Sequence, residues 1–88
     1  MTYEIELSRI ALKSMFKIPK KELRRIHDRI DALSVDPRPV DNKKIQGDHN
    51  LYRIRSGNYR ILYRIFDEKV HILIVDVDHR KDVYKQLK

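Results

Sequence analysis

Cysteine is absent from the 88 residues, which excludes disulfides and thiolate metal sites and suits a reducing cytoplasm. There is no run of eighteen apolar residues and no hydrophobic segment behind a basic N-terminus. The sequence therefore predicts neither a membrane span nor a secretory signal. Repeats, linkers and low-complexity tracts are missing too. Glycine occurs only at Gly47 and Gly57. What remains is one small domain, 1–88, which on folding buries only about 60% of the surface of its unfolded chain.

Apolar residues make up 41% and charged residues 38% of the chain. That is a globular balance with a heavily charged surface rather than a disordered composition. The net charge is +7. Residues 1–42 hold nine Lys/Arg against seven Asp/Glu, and 43–88 hold eleven against six. The excess in the second half points to a polyanion or an acidic protein as partner. Plain solubility is the competing explanation.

Residues 2–7 alternate, with Tyr3, Ile5 and Leu7 on one side, and predict a half-buried strand. Ser8 is an N-cap for a helix reaching about Ile18, with Ile10, Met15 and Phe16 on its apolar side. Pro19 interrupts it and opens a second helix over about 20–35, where Leu23, Ile26, Ile30 and Leu33 recur at helical spacing. Asp36-Pro37-Arg38-Pro39 is a loop, and 40–50 continue it. Leu51–Arg55, Tyr59–Phe66 and Val70–Val77 read as strands joined by hairpin turns at Ser56-Gly57 and Asp67-Glu68. A strand end and a short helix follow over 78–88. The expected class is α+β: β-α-α-β-β-β, a helical hairpin on one face of a mainly antiparallel four-stranded sheet, and a short C-terminal helix.

Those turns pair Arg55 with Asn58, Arg53 with Arg60, Tyr63 with Ile72 and Ile61 with Ile74. One face of the sheet then collects Tyr52, Ile54, Ile61, Tyr63, Ile65, Val70, Ile72 and Ile74 for the helices to cover. The other collects Arg53, Arg55, Arg60, Arg64 and His71, with Leu73, Val75, Val77 and His79 farther along. Two like charges about 5 Å apart repel by roughly 3 kcal/mol at an effective dielectric of 20. A gathering of four arginines therefore favours an anionic ligand, unless Asp76 or Asp78 neutralises it or the face is merely solvated.

The run Leu51-Tyr52-Arg53-Ile54-Arg55-Ser56-Gly57-Asn58-Tyr59-Arg60-Ile61-Leu62-Tyr63 carries a family signal. So do Asp67-Glu68-Lys69-Val70 and His79-Arg80-Lys81-Asp82-Val83-Tyr84. With Asn42-Lys43-Lys44-Ile45-Gln46-Gly47 upstream, the sequence resembles the RelE/ParE toxin superfamily, on the RelE-like side. The resemblance implies a toxin that enters the ribosomal A site, contacts 16S rRNA and cuts mRNA without a cofactor. It also implies a cognate acidic antitoxin, with the toxin alone a monomer and a hetero-oligomer formed with that partner. The positions matching the family's working residues are Arg53, Arg55, Arg60, Arg80 and Tyr84; Lys43, Lys44, Arg64 and Lys81 are further RNA-binding candidates. One departure is that arginine stands at 53 and 55, where RelE-like toxins often carry lysine. Arginine is a poor proton acceptor, so a base at either position is weakened.

Metal-free RNA cleavage needs a base for the 2′-OH, positive charge for the phosphorane and an acid for the leaving oxygen. Arg55, Arg60 and Arg80 suit the second role, since guanidinium groups grip phosphate in a fork. His79 is the candidate for proton transfer, its competing role being to pack at a strand end. Tyr84 is read as stacking on a base or donating its hydroxyl, or else as a core tyrosine. His27, His49, His71 and His79 show no ligand spacing, so no metal is expected. The rival readings are a ParE-like inhibitor of DNA gyrase, a catalytically inactive binding relative and a general nucleic-acid binder.

Overall fold

Ser8 starts the first helix in the way its residue type suggests. In the computed structural model, which describes residues 2–47 and 50–79, Ser8 Oγ accepts from the Ala11 N–H at 3.0 Å. The same hydroxyl donates to the Val75 carbonyl at 2.6 Å, tying the helix start to the last strand. Such a cap contributes about 1 kcal/mol. The elements in order are β1 (Glu4–Leu7), α1 (Arg9–Phe16), α2 (Lys20–Leu33), β2 (Lys43–Lys44), β3 (Leu51–Ser56), β4 (Tyr59–Phe66) and β5 (His71–His79).

Both helices end two residues earlier than their periodicity suggests, and Pro19 serves as the N-cap residue of α2. The buried side of α1 is Ala11 and Met15, not Ile10 and Phe16, which are 62% and 88% exposed. On α2 the expected stripe holds: Ile26, Ile30 and Leu33 are buried, and Leu23 packs against them. These residues meet Tyr52, Ile54, Ile61, Tyr63, Ile65, Ile72, Ile74 and Val77 from one face of the sheet.

Among the described residues the sheet has five strands, not four, in the order β1-β5-β4-β3-β2. β1 runs parallel to β5, and the other pairs are antiparallel. The added strand is β2, in which Lys43 pairs with Arg53 and Lys44 with Tyr52. Two residues are too few to show a period, so the segment reads as loop. The chain folds back through Gly47 (φ +81) and Asn50 (φ +64), both left-handed.

Three details of register also differ from expectation. The first hairpin turns at Gly57-Asn58, so Ser56 pairs with Tyr59, Arg55 with Arg60 and Arg53 with Leu62. Gly57, at φ +60, supplies the left-handed first loop position of a II′-type turn. The second turn is a 3₁₀ turn, Asp67–Lys69, followed by Val70 at φ +50. That places Phe66 opposite His71 and leaves Val70 outside the strand.

The third difference is a β-bulge. Tyr63 pairs with Ile74 but Leu62 pairs with Asp76, so Val75 is an extra residue. Beyond it the alternation of β5 reverses. Val77 opposes Ile61 and is fully buried in the core, Asp78 opposes Arg60, and His79 opposes Tyr59. The expected C-terminal helix lies outside the described residues.

Candidate RNA-binding face

The face of the sheet away from the helices is built in rows. Lys43, Arg53 and Leu62 form one row across β2, β3 and β4, and Arg55, Arg60 and Asp78 form the next across β3, β4 and β5. Leu51, Arg64, Leu73 and Glu6 form a third, and Phe66, His71 and Glu4 a fourth. The shifted turn changed who faces whom but kept the parity, so Arg53, Arg55, Arg60 and Arg64 share this face as expected. Lys43 joins them, whereas Lys44, opposite Tyr52, belongs to the helix side.

Exposure separates the arginines by role. Arg60 is 1% exposed, Arg53 and Arg64 are half-buried, and Arg55 is open to solvent. Arg53, Arg60, Arg64 and Asp78 are each engaged in further contacts. Arg60 lies between Arg55 on one neighbouring strand and Asp78 on the other, so its own charge has a carboxylate beside it. Asp76 does not serve the arginines in that way: its Oδ1 accepts from Ser14 Oγ of α1 at 2.9 Å and from the Val77 N–H at 2.8 Å. Of the two guanidiniums, the exposed Arg55 is the one open to a phosphate, while Arg60 is packed beneath the face.

His79 is placed differently from expectation. The bulge puts it opposite Tyr59, whose ring it meets edge-on at 5.6 Å between centroids. Tyr59 packs against the helix-covered core, so His79 lies on that side and not among the arginines. Arg80, Lys81 and Tyr84 lie outside the described residues. Among the described residues, no group of three or more His, Asp or Glu side chains gathers as metal ligands would, and no helix is long and apolar enough to cross a membrane.

The loop before β2 is held by a network the sequence did not announce. Arg38 grips Asp67 with both terminal nitrogens, at 2.8 and 3.3 Å, and Tyr3 donates to the same carboxylate at 2.7 Å. Arg38 holds the Asp67 carboxyl below its ordinary range, helped by the Tyr3 hydroxyl. The guanidinium also lies over the Tyr52 ring, 5.3 Å from its centre, and Tyr52 stacks on Tyr63. Tyr63 donates to the Pro37 carbonyl at 2.8 Å, and burial pushes its hydroxyl up to about 12. Arg29 pairs with Asp41 at 2.5 Å, which lowers that carboxyl as well. This clamp fixes where β2 begins, and with it the place of Lys43 beside Arg53.

A second basic region sits on the helices. Residues 9–33 hold eight Lys/Arg against three Asp/Glu, an excess that division of the chain into halves conceals. Between α1 and α2 runs an apolar groove of about 370 Å³, lined by Leu7, Leu12, Met15, Phe16, Ile18 and Leu23.

The model of the family described as ParE toxin of type II toxin–antitoxin system, parDE, matches residues 5–84. Toxin RelG of Mycobacterium tuberculosis is 31% identical over 87 residues, spanning 98% of this chain and all of the relative. The mRNA interferase toxin RelE of Escherichia coli is 28% identical over 90 residues, covering 98% and 94% of the two chains. Among solved structures, the archaeal RelE–RelB complex from Pyrococcus horikoshii matches with a TM-score of 0.81 at 30% identity. That match covers 91% of this chain and 97% of the other.

Proposed function

We propose that this chain, which belongs to the RelE/ParE superfamily of type II toxin–antitoxin toxins, is an endoribonuclease that cuts mRNA in the ribosomal A site. The observation that carries the reading is the open face itself. Arg55 stands opposite Arg60, with Arg53 and Lys43 in the adjoining row. A similar protein in Escherichia coli bears the name mRNA interferase, which favours RNA over gyrase as the target.

In this mechanism the exposed Arg55 holds the scissile phosphate, and Arg60, buried beside it, adds positive charge from beneath as the 2′-OH attacks. Such preorganised donors supply the largest share of rate enhancement, about 10²–10³-fold for one donor. Arg53, Arg64, Lys43 and Lys81 steer the strand, while Arg80 and Tyr84 complete the site. The bond from phosphorus to the 5′-oxygen breaks as that from the 2′-oxygen forms; the 2′-OH proton passes to water, and the Tyr84 hydroxyl protonates the leaving 5′-oxygen and recovers its proton from solvent. The products are a 2′,3′-cyclic phosphate and a 5′-hydroxyl, with no metal taking part. His79, on the other side of the sheet, is not needed.

Primer extension on mRNA from cells expressing the chain alone tests this. Codon-phased cuts with 5′-hydroxyl ends are expected, retained in His79→Ala and lost in Arg55→Ala. Intact mRNA with damaged DNA would point instead to gyrase.

The antitoxin follows from the second basic region. An apolar groove that also includes Lys20 and His27, on a helical hairpin with an excess of basic residues, suits an acidic amphipathic helix that folds as it binds, and complexes of RelE with RelB are known for similar proteins. The toxin is a monomer until that partner binds. Phe16→Glu is expected to weaken antitoxin capture at least tenfold in a binding assay while leaving RNA cleavage intact. The site of action is the cytoplasm, where ribosomes are.

A further inference from the structure

A pocket of about 350 Å³ opens at the far end of the arginine face, lined by Glu6, Phe66, Lys69, His71 and Leu73. None of these residues takes part in the chemistry described above. Glu6 and Leu73 share a row with Arg64, and Phe66 and His71 form the next row. The pocket therefore adjoins the rows of basic side chains that run from Arg55 to Arg64 across this face. From Arg60 to Arg64 is about 14 Å along β4, a span that a few extended nucleotides cover.

Its chemistry is that of a site for a planar ligand with hydrogen-bond donors. The Phe66 and His71 rings lie 6.4 Å apart and offer faces on which a base can stack. Glu6 Oε1 lies 2.9 Å from His71 Nε2, which orients the carboxylate, yet the Glu6 side chain is 63% exposed. A carboxylate only accepts. Guanine alone among the four RNA bases presents two adjacent donors, N1–H and the N2 amino group, on its pairing edge. Adenine and cytosine each set a donor beside an acceptor, and uracil sets its one donor between two acceptors. Charge also limits how a strand can lie here. Glu4 shares the row of His71, and Glu68 occupies the adjoining turn, so phosphates are repelled from this end. Arg64 and Lys69 hold the backbone at the margin, and the base alone enters.

We infer that the pocket formed by Glu6, Phe66 and His71 is a base-reading subsite that takes a guanine from single-stranded RNA crossing the arginine face. It rests on the ribonuclease reading and gives that activity a sequence preference.

Two measurements test it separately. The folded chain is titrated with GMP, AMP, CMP and UMP while the ring signals of Phe66 and His71 and the methyl signals of Leu73 are followed by NMR. GMP is expected to move them at the lowest concentration, and Glu6→Gln to reduce that preference about tenfold or more. Phe66→Leu should weaken all four nucleotides alike. Equal responses to the four, or no response at these residues, would overturn the subsite whether or not the chain cleaves RNA. In the second measurement, cuts on a transcript library undergoing translation by ribosomes are mapped for wild type and Glu6→Gln. A guanine enriched near the cut in wild type and lost in the variant supports the assignment. An unchanged profile overturns it. A wild type without cuts counts against the ribonuclease reading, and the titration still decides the pocket.

Discussion

Arg55 and Arg60 face each other across a hairpin, yet truncating them should have different consequences. Arg60 is buried, so Arg60→Ala removes a packed stem and unsettles groups placed around a charge, at a cost of about 2–4 kcal/mol. Arg55 is exposed, and Arg55→Ala should change stability by under about 0.5 kcal/mol while lowering cleavage by about 100-fold or more. Thermal unfolding and cleavage measured on the same samples separate the two; a large loss of stability in Arg55→Ala would contradict the assignment. Val70 is the other residue whose backbone sets its fate. A β-branched side chain at φ +50 is strained, by about 1–3 kcal/mol. Val70→Asn tolerates that conformation, and its melting midpoint is expected to rise by about 4–8 °C for each kcal/mol relieved.

At the scale of elements, the clamp around Arg38 couples the loop before β2 to the turn after β4. Its acid sensitivity has a defined sign. Asp67 and Asp41 both titrate lower in the folded chain than their ordinary value near 3.9. Their stabilisation is complete above about pH 4 and is lost as pH falls through the folded values. Wild type should therefore lose stability below pH 4 more steeply than a chain carrying Asp67→Asn and Asp41→Asn, in melting curves taken from pH 7 to 2. Equal slopes would mean that the clamp is absent in solution. The elements themselves were legible wherever a period could be counted: Leu23, Ile26, Ile30 and Leu33 specified α2, and alternation over 51–55 and 59–66 specified the paired strands and their faces. Illegible features were those with no period. β2 is two residues long, the Arg38 clamp joins residues from distant parts of the sequence, and a bulge is invisible in a strand that alternates on both sides of it. The arginine face survived the wrong turn because the shift preserved parity; His79 did not survive the bulge because that shift reversed it.

For the whole molecule, charge is distributed over two surfaces, the open sheet face and the helical hairpin, and the two can be told apart by salt. Affinity for a single-stranded RNA oligonucleotide should fall linearly in log–log form with salt concentration. Lys43→Ala should reduce the slope by about 0.7, as expected for one phosphate contact. Lys20→Ala, in the groove of the hairpin, should leave that slope unchanged while weakening antitoxin capture. Equal effects of the two substitutions would merge the surfaces into one. The extra residue at Val75 has a consequence on another timescale. Removing a single codon there would let β5 pair without a break and would keep Val77 opposite Ile61 and His79 opposite Tyr59, so the end of the strand would hold its present faces. Descendants of such a gene could lose that residue without exchanging the chemical groups on either side, a tolerance that a position within regular pairing lacks.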